Sequence, residues 1–205
     1  MDATFDDDPG VQLMLAYQAG DESAFDRLVE AHSTQVYALL TRFLGAKSGR
    51  EDLVQEVFLR VVRARERYAP TARFSTWLYR IVFNLAVNET QRNGGRDLRA
   101  QPGNGGSSVI EEGASDGFSE YADDRSRDPS ERLEQDDVVD AVRAAIAKLP
   151  EQQRMALVLA KYHDMPYDEI ANVLGSTEKA VKSLVHRARE NLRVTLAPYL
   201  QGELT

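Results

Sequence analysis

The stretch FSTWLYRIVFNLAVN, residues 74–88, carries the side chains with the most specific chemistry. A helix over this stretch places an aromatic residue and three polar residues on one face: Trp77, Arg80, Asn84 and Asn88. An indole stacks on flat groups, while guanidinium and amide groups hydrogen-bond to the edges of such groups. The stretch is therefore suited to binding a flat, polar partner.

The residues at the start of this stretch have more than one interpretation. Trp77 can stack on a partner or pack in the core, and the sequence leaves both open. Arg73 and Phe74 end the short loop APTARF, which Pro70 opens, and we expect both side chains to be exposed.

A second segment, PYDEIANVLGSTEKAVKSLVHRARENLR, has the spacing of a helix-turn-helix. Ala171 is the small residue expected where two helices cross, and Gly175 suits the turn because a positive φ costs glycine little. Ser176 or Thr177 can cap the second helix. Apolar anchors are expected at Ile170, Leu174, Val181, Leu184 and Val185.

The second helix of this segment then presents a polar, basic face. The outward residues are Lys179, Lys182, Ser183, His186 and Arg187, with Arg189 and Arg193 behind them. Such residues contact phosphates and base edges in the major groove. A merely solvated charged face is the alternative, and the helix-turn-helix spacing favours DNA binding.

The stretch EDLVQEVFLRVV predicts a docking helix. An apolar stripe holds Leu53, Val54, Val57, Phe58, Val61 and Val62, and the opposite face holds Asp52, Gln55, Glu56, Leu59 and Arg63. A face that mixes acids, an amide and a leucine suits a partner helix or coiled coil. Taken alone, this stretch is better interpreted as the solvated face of an amphipathic helix.

Periodicity over the whole chain predicts an all-α fold of two small helical domains. Residues 9–93 form the first domain, residues 94–137 a flexible acidic linker and residues 138–200 the second domain. Gly20 is expected to end one helix, and Asp21 or Ser23 to cap the next. In the helix at 74–88 the core-facing stripe is Leu78, Ile81, Val82 and Leu85.

Composition narrows the partners and the compartment. The formal net charge is −8, but residues 94–137 hold twelve acids and five bases, and four more acids precede residue 9. The remaining residues carry about +3, which keeps nucleic acid open as a partner. There is no cysteine, no long apolar run and no signal-peptide pattern, so we expect a cytoplasmic protein without membrane insertion. Three scattered histidines do not favour a metal site.

Four motifs in order resemble those of extracytoplasmic-function (ECF) sigma factors, two-domain members of the bacterial sigma-70 family. They are GDESAFDRLVEAH, DLVQEVFLRV, FSTWLYRIVFNLAVN and the segment from LPEQQRMALVLAKYHDM through the helix-turn-helix. The resemblance covers nearly the whole chain except the N-terminal tail and the linker.

The resemblance implies a role for each segment. Asp52, Leu53, Gln55, Glu56, Leu59 and Arg63 would dock on the clamp coiled coil of core RNA polymerase. Arg73, Phe74, Trp77, Arg80, Asn84 and Asn88 would read and help melt the promoter −10 element, with an aromatic ring stacking on an unpaired base. Lys179, Lys182, Ser183, His186, Arg187 and Arg189 would read the −35 element as duplex DNA. An anti-sigma factor is the further partner expected.

Two other function classes fit the sequence less well. A stand-alone helix-turn-helix regulator would dimerise on a palindrome, whereas this helix-turn-helix is joined to a second module with its own interaction face. An enzyme is disfavoured because the sequence has no Gly-rich phosphate loop, metal-ligand spacing or paired nucleophile and base. We therefore expect no catalytic residue, no cofactor and no metal.

Overall fold

The computed structural model describes residues 5–45, 49–97 and 129–200, with the backbone alone at 93–97, 129–137 and 200. This part of the chain is all-α, as predicted, and contains no β-strand. Its helices are α1 (Pro9–Gln18), α2 (Glu22–Leu44), α3 (Arg50–Ala64), α4 (Phe74–Asp97), α5 (Pro129–Ala147), α6 (Glu151–Tyr162), α7 (Tyr167–Leu174) and α8 (Glu178–Leu200). A short 3₁₀ turn, Arg65–Arg67, follows α3.

Local sequence signals explain where the first helices begin and end. Asp8 caps α1 by accepting from the Val11 amide at 2.9 Å, and Pro9 occupies the first turn, where a missing N–H costs nothing. Gly20 takes a φ of 109°, and Asp21 caps α2 by accepting from the Ser23 amide at 3.1 Å. The predicted break between α1 and α2 is confirmed, with Asp21 as the cap.

The predicted apolar stripes form the core of the first module. Val57, Phe58 and Val61 of α3 are buried, and so are Leu78, Val82 and Leu85 of α4, while Leu53, Val54 and Ile81 are partly buried against them. Val62 departs from the predicted stripe because its side chain is 38% exposed. The stripe of α3 is therefore narrower than its sequence indicates.

Both ends of the predicted flexible linker are helical. Helix α4 continues to Asp97, and α5 already begins at Pro129, within the predicted linker 94–137. Proline with acidic residues after it is a common helix start, and this outweighs the high polarity of the stretch. The remainder of the predicted linker, 98–128, lies outside the described residues.

The two modules pack against each other. Helix α7 packs against α4, α6 contacts α2, and one hydrophobic core contains buried residues of both modules. The buried Arg154 of α6 crosses the boundary: its guanidinium donates to the Phe43 carbonyl of α2 at 2.8 Å and to the Leu149 carbonyl of its own module at 2.9 Å. Polar and apolar contacts therefore join the two modules directly, in addition to the chain segment between them.

Candidate nucleic-acid interface

The helix-turn-helix is built as the sequence predicts. Gly175 ends α7 in the left-handed region with a φ of 61°, and the Ser176 amide returns to the Ala171 carbonyl at 2.9 Å. Thr177 caps α8, since its hydroxyl accepts from the Ala180 amide at 3.2 Å. The predicted anchors are all buried: Ile170, Leu174, Val181, Leu184 and Val185. Helix α8 is thereby fixed with its basic face outward.

The exposed face of α8 gathers the predicted base-reading residues. One shallow depression is lined by Lys182, Ser183, His186 and Arg187. The Lys182 ammonium pairs with Glu178 at 2.6 Å, and this hydrogen bond raises the pKa of Lys182. Lys179 and Arg189 are also exposed, as expected for side chains that contact phosphates.

Helix α4 presents a polar row along its outer face. Arg80, Asn84 and Asn88 are all exposed, as their spacing predicts. Trp77 is partly buried, with its ring 5.0 Å from that of Tyr68, so core packing accounts for much of its surface. The part of the row that can hydrogen-bond to a base edge is formed by the arginine and the two asparagines.

Phe74 corrects one expectation. Its side chain is fully buried, and its ring packs 5.1 Å from His32 and 5.5 Å from Trp77. The reason is that Phe74 is the first residue of α4 and points into the junction with α1, where a β-carbon on Gly10 would come within 2.7 Å of it. Exposure was correctly expected for Arg73, which is 61% exposed, and wrongly expected for Phe74.

The predicted docking face of α3 is mostly open to solvent. Asp52, Gln55, Leu59 and Arg63 are exposed, with Leu59 at 49%. Glu56 is half-buried by its own helix, where it accepts from Arg60 at 3.0 Å and from Arg63 at 3.4 Å. Leu53 is packed against the core, so only part of its side chain is available to the docking face.

Some residues of these surfaces were missed by sequence reasoning. A groove beside the docking face is lined by Ser33, Thr34, Tyr37, Glu51, Val54 and Gln55. The three residues from α2 are at helical spacing, so a periodicity count over α2 could have found them. No sequence signal indicated that Thr76 of α4 pairs with Glu169 of α7, because the two residues are 93 positions apart.

Neither a metal centre nor a membrane span is found in the part of the chain that the structure describes. No group of three or more side chains there could hold a metal ion. No helix within the same residues is both long and apolar enough to cross a bilayer.

Comparison with known proteins assigns the family. Residues 28–96 match the family Sigma-70 region 2, and residues 140–192 match Sigma-70, region 4. The RNA polymerase sigma-H factor of Pseudomonas aeruginosa is 32% identical over 190 residues, which cover 93% of this chain and 95% of that protein. The ECF RNA polymerase sigma-E factor of Escherichia coli strain K12 is 31% identical, covering 92% and 95%. The chain is an ECF sigma factor of the sigma-70 family.

Solved structures agree with this assignment at the level of fold. The sigma factor resembles CnrH in complex with the cytosolic domain of CnrY, with a TM-score of 0.63 and 24% identity over 93% of this chain and 99% of that one. It also resembles the Bartonella quintana sigma factor RpoE, with a TM-score of 0.60 and 22% identity over 84% and 96% of the two chains.

The family defines the general role of the chain. It acts in promoter-specific initiation of transcription, with core RNA polymerase and promoter DNA as its partners. It is a regulatory initiation factor. The alternative of a stand-alone helix-turn-helix regulator is set aside, because both sigma regions are present in the expected order.

Proposed function

We propose that this sigma factor divides promoter recognition between its two modules. Helix α8 reads the −35 element as duplex through the depression of Lys182, Ser183, His186 and Arg187, and the polar row of α4 holds the melted −10 strand. Helix α3 docks on core polymerase, which carries out all of the chemistry. The sigma factor works in the cytoplasm and has no catalytic activity of its own.

The observation that carries this proposal is the composition of the α8 depression. Two cations, a hydroxyl and an imidazole line one exposed surface of a helix that a buried apolar face holds in place. Such a set can donate to base edges and to phosphates at the same time. On α4, Arg80, Asn84 and Asn88 offer guanidinium and amide donors on one exposed row. The buried Phe74 adds no exposed aromatic ring beside them.

We further propose that an anti-sigma factor restrains the protein. The Bartonella quintana sigma factor of similar fold was solved in complex with the anti-sigma factor NepR. The exposed apolar residues Leu59 and Val62 of α3 offer a surface that such a partner can cover.

The test is in vitro transcription with core RNA polymerase on genomic fragments, with and without the sigma factor. We expect new start sites that share an upstream element about where a −35 reader would bind. A matched reaction without core polymerase should give no transcript. If the complete reaction yields no new start site on fragments from its own genome, the proposed division of promoter recognition is wrong.

A further inference from the structure

The junction of α7 with α4 contains a carboxylate held by Arg73, which belongs to the expected −10 residues, and by Thr76 of α4. Glu169 of α7 lies with one carboxylate oxygen 3.2 Å from the Arg73 Nε. Its other oxygen accepts from the Thr76 hydroxyl at 2.8 Å. The Glu169 side chain is 17% exposed and Thr76 is 2% exposed, so the pairing lies at the edge of the packed interface.

This pairing belongs to a longer line of contacts between the modules. The Tyr79 hydroxyl of α4 lies 3.2 Å from the His163 Nδ1, and the Thr90 hydroxyl donates to Glu151 at 2.7 Å. Because these contacts and the buried core act together, α7 cannot leave Arg73 without separating other parts of the boundary. Arg73 remains 61% exposed, so what depends on the position of the second module is the release of its Nε and of the buried Thr76 hydroxyl from Glu169.

The chemistry of the pair resembles that of a contact to the DNA backbone. Arginine and hydroxyl side chains are among the groups that bind DNA phosphates. A carboxylate offers two anionic oxygens to a guanidinium, as a phosphate does. Glu169 therefore occupies the Arg73 Nε and the Thr76 hydroxyl, two donors that a phosphate of the melted strand could use.

We propose that Glu169 is an internal competitor of promoter DNA at an anion-binding pair formed by Arg73 and Thr76. While α7 packs against α4, which is the closed arrangement, the carboxylate occupies the pair. A phosphate of single-stranded DNA takes its place once α7 leaves α4. This proposal rests on the proposed role of α4 as the −10 surface, and it adds Thr76 to that surface.

The competition is confined to one of the two DNA surfaces. The depression of Lys182, Ser183, His186 and Arg187 stays exposed while Glu169 is engaged. The closed chain can therefore hold duplex DNA through α8 before it holds a single strand through α4. In this proposal, the melted strand binds fully to α4 only after the two modules separate.

The decisive variant is Glu169→Gln, with Asp168→Asn as its matched control. Asp168 is the exposed neighbour on the same helix, so its substitution removes the same charge without touching the pair. The probe is a fluorescein-labelled single-stranded 20-mer of mixed sequence, measured by anisotropy with the full chain at fixed salt. We expect Glu169→Gln to bind it about fivefold more tightly, equivalent to about 1 kcal/mol. Asp168→Asn should change the affinity for the single strand by less than about twofold. Both variants should also change the affinity for the matching duplex by less than about twofold.

Two further variants separate competition from a general change of charge. Adding Arg73→Gln to Glu169→Gln should abolish the gain, because the guanidinium that the phosphate would use is gone. Thr76→Val removes the hydroxyl that donates to Glu169. It replaces Glu169→Gln in the test if circular dichroism shows that Glu169→Gln does not fold. It should open the modules while giving a smaller gain in affinity, since it also removes one phosphate donor.

Opening is measured independently of DNA. The chain has no cysteine, so single cysteines introduced at the exposed positions Asp26 and Gln152 can carry a fluorophore pair across the modules. Energy transfer should fall in Glu169→Gln and not in Asp168→Asn. If Glu169→Gln matches its control in both readouts, or opens without binding the single strand more tightly, the proposal is overturned. Neither readout needs a promoter, so a failure of the transcription test would remain a separate result.

Discussion

At the scale of single residues, the cations of α8 differ in the contacts that they make within their own helix. Arg193 is paired with Glu190 at 2.6 Å, and Lys182 with Glu178 at 2.6 Å. The Arg187 Nε donates to the Ser183 carbonyl at 3.3 Å, so the guanidinium keeps two terminal nitrogens for a bidentate contact. Arg187 is therefore the best placed side chain of α8 for selecting one base.

Replacing Arg187 by alanine should cost affinity at a single base pair. We expect a loss of about 1–3 kcal/mol that disappears when the corresponding base of the −35 element is changed, because a bidentate contact to guanine is lost. Arg189→Ala is the control and should weaken all sequences alike. The measurement is anisotropy on a set of −35 duplexes with single substitutions. An equal loss on every duplex would make Arg187 a phosphate contact only.

Phe74 carries a prediction about stability rather than about base stacking. Its side chain is fully buried between α1 and α4, so Phe74→Ala should lower the free energy of unfolding by about 3–5 kcal/mol. Phe5→Ala, at a partly buried phenylalanine, should cost clearly less. Urea denaturation followed by circular dichroism measures both. If the Phe74→Ala protein is as stable as the unchanged chain, the ring does not stabilise the core and the prediction is wrong.

At the scale of elements, α3 uses its two faces for different tasks. Val57 and Val61 fix the helix in the core, while the outer face keeps Leu59 exposed beside charged residues. Glu56 is held in place by Arg60 and Arg63, which orders the half-buried carboxylate. A preorganised charged residue next to an exposed leucine suits a partner of complementary charge.

Charge reversal on this face should weaken core polymerase binding and leave the fold intact. We expect Glu56→Lys to lose about 2 kcal/mol of binding free energy, or roughly 30-fold in Kd, as a central contact would. Glu66→Lys, exposed in the turn after α3, is the control and should bind as the unchanged protein does. Titration of labelled core polymerase gives both values. If a folded Glu56→Lys protein keeps full affinity, α3 does not dock through this face.

At the scale of the whole molecule, the boundary between modules buries an ionisable group. His163 is close to Arg42 of α2 and to Tyr79 of α4, and Asp164 follows it in the sequence. Burial first, and then the positive charge of Arg42, lower the pKa of His163 to about 4, against an ordinary value of 6.5. The closed arrangement therefore favours the neutral imidazole.

Acidification should open the molecule. Because the pKa of His163 is lower when the modules are packed, the open form binds more protons. The contribution of His163 to closure is present above about pH 6.5 and is lost as the pH falls from there toward 4. Energy transfer across the modules should thus decrease between pH 7.5 and about pH 5 in the unchanged protein. The decrease should be much smaller in His163→Gln and unaltered in His186→Gln, whose imidazole is exposed in α8.

Local features of the sequence determined most of the elements and the content of the surfaces. The turn at Gly175 and the buried stripes of α4 and α8 depend on neighbours within a few residues, so spacing alone predicted them. For the two caps, spacing left a pair of candidates each, and the structure selects Asp21 and Thr177. The same holds for the exposed row of Arg80, Asn84 and Asn88, which needed only the helical period. The family resemblance rested on these same segments.

Tertiary structure decided which of those residues are accessible. Phe74 became part of the core because α1 packs across it. Val62 is exposed at an edge of α3 that no helix in the described part of the chain covers. The contact of Glu169 with Arg73 and Thr76, and that of Arg154 with the Phe43 carbonyl, join positions about a hundred residues apart. No periodicity within one helix carries information about its partner across such a distance, because the pairing is set by how two complete modules pack.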